Sequence, residues 1–204
     1  MIKMENAGLY IHIPFCLRKC NYCDFISYDY NNGLAEDFLL ALFSEFRLLK
    51  ERYGRIELET VYFGGGTPTC LSGEQLVRIL QGVKDNFSLV KEAEITCEMN
   101  PATGVEGDLR LMKEAGFNRL SIGVQAFDDE TLRYLGRVHD LEQVLQTYHS
   151  ARRIGFNNIN LDLIFAIPGQ TKNVWQNSLE KILELNPEHL SLYNLKIEER
   201  THYY

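Results

Sequence analysis

The chain has 204 residues, 45% hydrophobic and 24% charged, with a formal net charge of −7. That balance suits a packed globular domain and excludes a disordered chain. It also speaks against generic nucleic-acid binding, because affinity for phosphate is built from Lys and Arg.

The stretch Met1–Gly8 shows neither an apolar core nor a cleavage site, so we expect no signal peptide and a cytoplasmic location. No run approaches the roughly 18 apolar residues of a membrane span. Leu9–Ile13 reads as the first strand. Phe38, Leu42, Phe46 and Leu49 then recur at helical spacing up to Gly54. Thr60–Phe63 is the second strand, and Ser72 with Gln75 forms a capping box ahead of Leu76, Ile79, Leu80 and Val83. Ala93–Met99 is the third strand, followed by a helix that ends at Gly116. Arg119–Gln125 is the fourth, followed by a short helix capped by Asp128 and reaching Gly136, then a longer one ending at Gly155. Ile159–Phe165 is the fifth strand. A helix through Trp175, Leu179, Ile182 and Leu183 stops at Pro187, and His189–Leu195 is the sixth strand.

Two joints repeat, Gly116-Phe117-Asn118 and Gly155-Phe156-Asn157, each a helix stop followed by an aromatic that leads into a strand. Alternation of β and α predicts an α/β fold with a parallel sheet and right-handed crossovers. About 200 residues hold six such units. Periodicity alone leaves open whether the sheet curls into a barrel.

Ligands of parallel α/β folds sit at the carboxyl ends of the strands, and the unusual residues fall there. Cys16-x3-Cys20-x2-Cys23 follows the first strand, Gly64-Gly65-Gly66-Thr67-Pro68-Thr69 the second, Glu98 and Gln125 lie at the ends of the third and fourth, and Asp162 lies in the fifth. Three thiolates on one loop suit an iron–sulfur cluster with one iron left open. The blander readings are a zinc site completed by His12, or three unconnected buried thiols. Cys70 and Cys97 read as small buried hydrophobes. The glycine run suits close approach of a ligand, or simply a tight turn. Glu98 suits an ammonium group, or a surface position. Asp162, flanked by Leu161, Leu163 and Ile164, calls for a ligand or a partner. Arg137 suits a carboxylate, or plain solvation, and His12 and His139 read as structural.

Together these residues resemble the radical S-adenosylmethionine (radical SAM) superfamily, and within it the group around oxygen-independent coproporphyrinogen III oxidase. The cysteine motif carries the resemblance, with Tyr10–Cys16, Gly64–Thr69, Gly123–Phe127, Asp162–Ile164 and Ile167–Thr171. It implies an incomplete (β/α)6 TIM-like barrel of parallel strands, with residues 1–204 as the radical SAM core and the family's C-terminal domain absent or truncated. It implies that Cys16, Cys20 and Cys23 hold a [4Fe–4S] cluster. The open iron would chelate S-adenosylmethionine, and reductive cleavage would release a 5′-deoxyadenosyl radical. Tyr10, Gly65 and Glu98 would contact this nucleotide. Tyr22, Gly66, Thr67, Gln125, Arg137, Asp162 and Lys196 match positions that line the same cavity or a second S-adenosylmethionine site. Gln125 and Asp162 would suit ribose hydroxyls there, and Arg137 a carboxylate.

The oxidase carries a further cysteine two positions after the third, where this chain has Phe25, and a longer N-terminal extension. Both departures resemble the HemW-type haem chaperones, as does Leu135–His139. The implied function is binding of S-adenosylmethionine and haem, with haem passed to an acceptor protein and an electron donor required. The alternative is oxidative decarboxylation of coproporphyrinogen III to protoporphyrinogen IX. None of His12, His139, His149, His189 and His202 stands out as a haem ligand. Both groups continue beyond the sixth strand, so exposed apolar surface is expected near Tyr203 and Tyr204.

Overall fold

The computed structural model describes residues 7–103 and 105–204. Most of the stretch expected to carry no signal peptide, residues 1–6, lies outside them. The described chain runs β1 (Ala7–Ile13), β2 (Phe15–Cys16), β3 (Tyr28–Asp29), α1 (Asn32–Tyr53), β4 (Glu57–Gly65), α2 (Gly73–Asn86), β5 (Ser88–Met99), α3 (Glu106–Ala115), β6 (Arg119–Gln125), α4 (Asp129–Tyr134), α5 (Leu141–Ile154), β7 (Ile159–Phe165), α6 (Lys172–Glu184) and β8 (His189–Asn194). Six strands form one all-parallel sheet in the order β1-β4-β5-β6-β7-β8. Among the described residues no pairing joins β8 back to β1, so the barrel is incomplete.

Local chemistry sets the element ends. Asn31 caps α1 by accepting from the backbone N–H groups of Gly33 and Leu34. Ser72 and Gln75 form the capping box of α2, and Asp140 and Gln143 form another on α5. α3 and α5 stop at Gly116 and Gly155, whose φ values of 114° and 101° lie in the left-handed region. The aromatic after each glycine, Phe117 or Phe156, is fully buried. Asn118 then locks its joint by accepting from the N–H of Ile95 and donating to the carbonyl of Ala93.

Several boundaries differ from the sequence expectation. β4 and β5 start earlier than Thr60 and Ala93, because Glu57 and Leu58 pair with Ser88 and Leu89 ahead of a register shift that leaves Glu59 and residues 90–93 out of the ladder, and the exposed Glu57, Glu59, Lys91 and Glu92 erase the apolar signal. α1 starts at Asn32 rather than near Phe38, since its first turns are largely exposed. β8 ends at Asn194, not Leu195, and α4 ends at Tyr134. The pair β2–β3, flanking the cysteine loop, was not expected: two residues per strand are too short to show a period.

Alternation places the core. Val61, Phe63, Ile95, Cys97, Leu120, Ile122, Ile159, Leu161 and Leu163 are buried under the helices. The other face of the same strands carries Tyr62, Thr96, Glu98, Ser121, Asn160 and Asp162. These polar residues therefore share the concave side. No helix of the described residues is long and apolar enough to cross a membrane.

Candidate functional site

The carboxyl ends of the strands meet around one cavity of about 500 Å³, reached by β4 through β8 and by the loop after β2. Cys16, Cys20, Cys23, Tyr22, Gly65, Gly66, Thr67, Glu98, Gln125, Arg137, Asp162 and Lys196 all line it. Of the candidate site residues only Tyr10 stands outside. It is largely exposed on β1, stacked on Tyr62 at 6.1 Å, with its hydroxyl 3.0 Å from His12 Nδ1.

The cysteine loop is pinned at its base by the glycine run. The N–H of Gly66 donates to the carbonyl of Ile13 at 2.8 Å, and that of Thr67 to the carbonyl of Phe15 at 2.7 Å. A Cβ on Gly66 would lie 2.6 Å from the Phe15 oxygen, so only glycine permits this approach. Gly65, at φ 113°, turns its N–H toward Glu98. The run is thus more than a tight turn.

The three thiols differ in surroundings. Thr67 Oγ1 donates to Cys16 Sγ at 3.7 Å, and Arg137 Nη1 to Cys20 Sγ at 3.2 Å. Burial pushes the Cys23 thiol up, opposed by a backbone hydrogen bond from Phe25. Among the described residues no three His, Cys, Asp or Glu side chains converge on the position of one metal ion. His12, required as fourth ligand in the zinc reading, is already committed, with Nε2 3.0 Å from the carbonyl of Ile26 and Nδ1 facing Tyr10. The soft donor set, spread around a glycine-walled cavity, fits a cluster. All five cysteines are free thiols. Cys97 is fully buried as expected, but Cys70 is only half-buried, at the end of a short helical turn whose other two residues, Pro68 and Thr69, are buried. Burial pushes the Cys70 thiol up to about 12.

Glu98 is no surface residue. Its Oε1 accepts from Tyr62 at 2.7 Å and its Oε2 from the N–H of Gly65 at 3.2 Å. Burial raises its pKa, and these two bonds oppose the rise. Asp162 accepts from Asn160 Nδ2 at 2.8 Å and Ser121 Oγ at 3.4 Å, while Ser191 Oγ donates to Asn160 Oδ1 at 3.0 Å. Burial raises its pKa too, against those hydrogen bonds. Gln125, at φ 71°, holds a left-handed backbone that is costly for a non-glycine residue and turns the chain at the cavity rim. Arg137 is not a freely solvated side chain: besides Cys20 it grips the carbonyl of Gly123 at 2.9 Å. His139 is structural, set between Asn100 Oδ1 and the carbonyl of Val124.

Sequence reasoning overlooked Tyr62, Ser121 and Asn160. Their signal was a polar residue at every second position of otherwise apolar strands. It also overlooked Arg18 and Asn21, which donate to the carbonyls of Gly136 and Tyr134; no local pattern marks contacts across more than a hundred residues. The apolar surface expected near the end of the chain is present at Ile197 and Tyr204, but Tyr203 is not part of it. Its ring lies 5.2 Å from that of Tyr134, its N–H donates to Asn21 and its hydroxyl to the Tyr134 carbonyl.

A family model described as the radical SAM superfamily matches residues 10–182. The chain is 41% identical over 202 residues to the heme chaperone HemW of Bacillus subtilis, covering 98% of this chain and 53% of that protein. It is 40% identical over 204 residues to the heme chaperone HemW of Escherichia coli, again over 98% of this chain and 53% of the relative. It thus spans about half the length of these curated relatives. Among solved structures, coproporphyrinogen III oxidase (HemN) from Escherichia coli superposes with a TM-score of 0.86 at 32% identity, covering 96% of this chain and 46% of that one.

Proposed function

The chain belongs to the radical SAM superfamily, and from that premise we propose that residues 1–204 are the radical SAM core of a haem-handling protein of the HemW kind. Cys16, Cys20 and Cys23 hold a [4Fe–4S] cluster, and S-adenosylmethionine lies in the adjoining cavity. The observation that carries this reading is that three thiols, the Gly65–Thr67 wall and the Glu98 carboxylate face one cavity of nucleotide size. When bound, the cluster supplies an electron for reductive cleavage of the sulfonium.

The chain's own residues bind and orient. Glu98, fixed by Tyr62 and Gly65, offers its carboxylate to an ammonium group. Asp162, held by Asn160 and Ser121, presents acceptors to hydroxyls. Tyr22, Gly66, Thr67, Gln125 and Lys196 close the cavity wall, and Arg137 steadies the Cys20 arm. Tyr10 contributes by backing Tyr62 rather than by lining the cavity. Haem is the cargo, an electron donor and a haem-accepting protein are the partners, and the cytosol is the compartment, in keeping with five free thiols.

Phe25, where the oxidase carries a further cysteine, favours haem transfer. Porphyrinogen decarboxylation is the second reading, supported by the closeness of the barrel to that of HemN. The test is anaerobic reconstitution with iron and sulfide, followed by EPR with and without S-adenosylmethionine, haem titration by absorbance, and a coproporphyrinogen III assay. About four irons per chain, a nucleotide-dependent spectrum and a haem Soret band are expected. Protoporphyrinogen IX as product would establish the oxidase reading, and zinc in place of iron would end both.

A further inference from the structure

We propose that Arg137 is a redox-positioning residue: its guanidinium, donating to the sulfur of Cys20, raises the reduction potential of the cluster. The inference rests on the cluster reading above, and goes beyond the part of carboxylate clamp that the family resemblance suggests for this arginine.

The geometry commits Arg137 to the cysteine. Nη1 lies 3.2 Å from Cys20 Sγ, and Nη2 is anchored at 2.9 Å on the carbonyl of Gly123. Nε is sealed from solvent and has no hydrogen-bond partner, so the head group is held by its fork rather than by water. The turn that carries Arg137 is stitched to the loop that carries Cys20. Asn21 donates from its backbone to Leu135 at 3.2 Å and from its side chain to Tyr134 at 3.0 Å, and Arg18 donates to Gly136 at 2.8 Å. Gly136, at φ 75°, allows this closeness, since a Cβ there would meet the Asn21 side chain at 2.8 Å. Among the described residues neither of the other two thiols has such a donor: Cys16 faces the neutral hydroxyl of Thr67 at 3.7 Å, and the Lys19 ammonium donates to the carbonyl of Phe25.

Reduction adds one negative charge to the cluster. A permanently charged donor on a ligand sulfur stabilises that charge, and hydrogen bonds to the sulfurs and local net charge are levers of cluster potential. The bond reaches a ligand sulfur itself, so the charge acts on the cluster directly and not by way of a nucleotide. A residue serving only as a carboxylate clamp would change nucleotide affinity and leave the potential of the nucleotide-free cluster alone.

The experiment is an EPR-monitored redox titration of the reconstituted chain without S-adenosylmethionine, for the wild type, Arg137→Gln, Arg137→Lys and Arg153→Gln. Arg153 is an exposed arginine of α5 paired with Glu106, and controls for loss of one positive charge. In Arg137→Gln the ratio of reduced to oxidised cluster at a fixed potential should fall about tenfold, a shift of about 59 mV for a one-electron couple. Arg137→Lys should fall less, and Arg153→Gln should match the wild type. An unchanged potential in Arg137→Gln, or an equal shift in Arg153→Gln, overturns the inference. If the glutamine variant assembles no cluster, Arg137→Lys decides alone, and a wild-type potential there overturns it. Failure of the wild type itself to take up iron would instead sink the cluster reading.

Discussion

The hydroxyl of Tyr62 donates to Glu98 across two neighbouring strands, at 2.7 Å, and so sets the direction of a carboxylate that the strand pattern alone only places. Tyr62→Phe removes that donor while keeping the ring stacked on Tyr10. Glu98 keeps the N–H of Gly65 but loses its stronger partner, which is worth about 1–1.5 kcal/mol. We expect S-adenosylmethionine to bind the reconstituted chain roughly five- to tenfold more weakly, with iron content and circular dichroism unchanged. Equilibrium dialysis measures this, and wild-type affinity in the variant would show that Tyr62 does not orient Glu98.

The cysteines separate by environment. Serine at Cys16, Cys20 or Cys23 should remove most of the iron taken up on reconstitution, because a cluster left with two thiolates is not retained. Serine at Cys70 or Cys97 should leave iron content near the wild-type value. Cys97 is fully buried, so its serine variant, which keeps a donor for the Glu98 carbonyl but buries a more strongly hydrated hydroxyl, is expected to lose about 1 kcal/mol of stability without losing metal. Iron analysis and urea unfolding read the two effects separately.

Gly66 supports the cysteine loop through close backbone approach. In Gly66→Ala the new methyl would press on the carbonyl of Phe15 at 2.6 Å and its nitrogen at 3.0 Å, neither of which can swing aside as a side-chain tip could. Relief requires the start of the cysteine loop to move, at a cost of about 1–3 kcal/mol. The expected outcome is a lower unfolding midpoint together with reduced cluster occupancy. A variant with full occupancy and unchanged stability would mean that the loop is not braced by this contact.

What the sequence made legible follows from range. The six strands, the helix stops at Gly116 and Gly155 and the cysteine spacing are local patterns, and each was readable. Asp162 stood out because a carboxylate among apolar strand residues needs a partner, and Glu98 because it stands at a strand end where an ammonium group could meet it. Their partners were harder to read: Tyr62 and Asn160 are compatible with any half-buried strand, and only curling the sheet turns every second residue into one shared polar interior. Arg137 was visible as a cation near the site, yet its choice of Cys20 depends on contacts between residues 18–21 and 134–137, which no spacing rule encodes. The early start of β5 was lost because Lys91 and Glu92 look like loop: they sit in a register shift between the paired Ser88–Leu89 and the ladder that resumes at Glu94.

His139 supplies a pH dependence whose direction is fixed by its surroundings. Burial, reinforced by the nearby positive charge of Arg137, holds the ring neutral and lowers its pKa from 6.5 to about 4. The unfolded chain therefore binds more protons than the folded one between those values, and stability falls as pH drops from about 6.5 toward 4. Glu98 and Asp162, raised by burial, act in the opposite sense, gaining stability as pH falls, so the His139 effect must be read as a difference. His139→Gln can still donate to the carbonyl of Val124 but has no proton to gain. Comparing urea unfolding at pH 7 and pH 4.5, we expect the wild type to lose about 2 kcal/mol more than this variant across that interval. Equal losses would mean that the ring titrates normally, and that neither its burial nor the Arg137 charge governs its protonation.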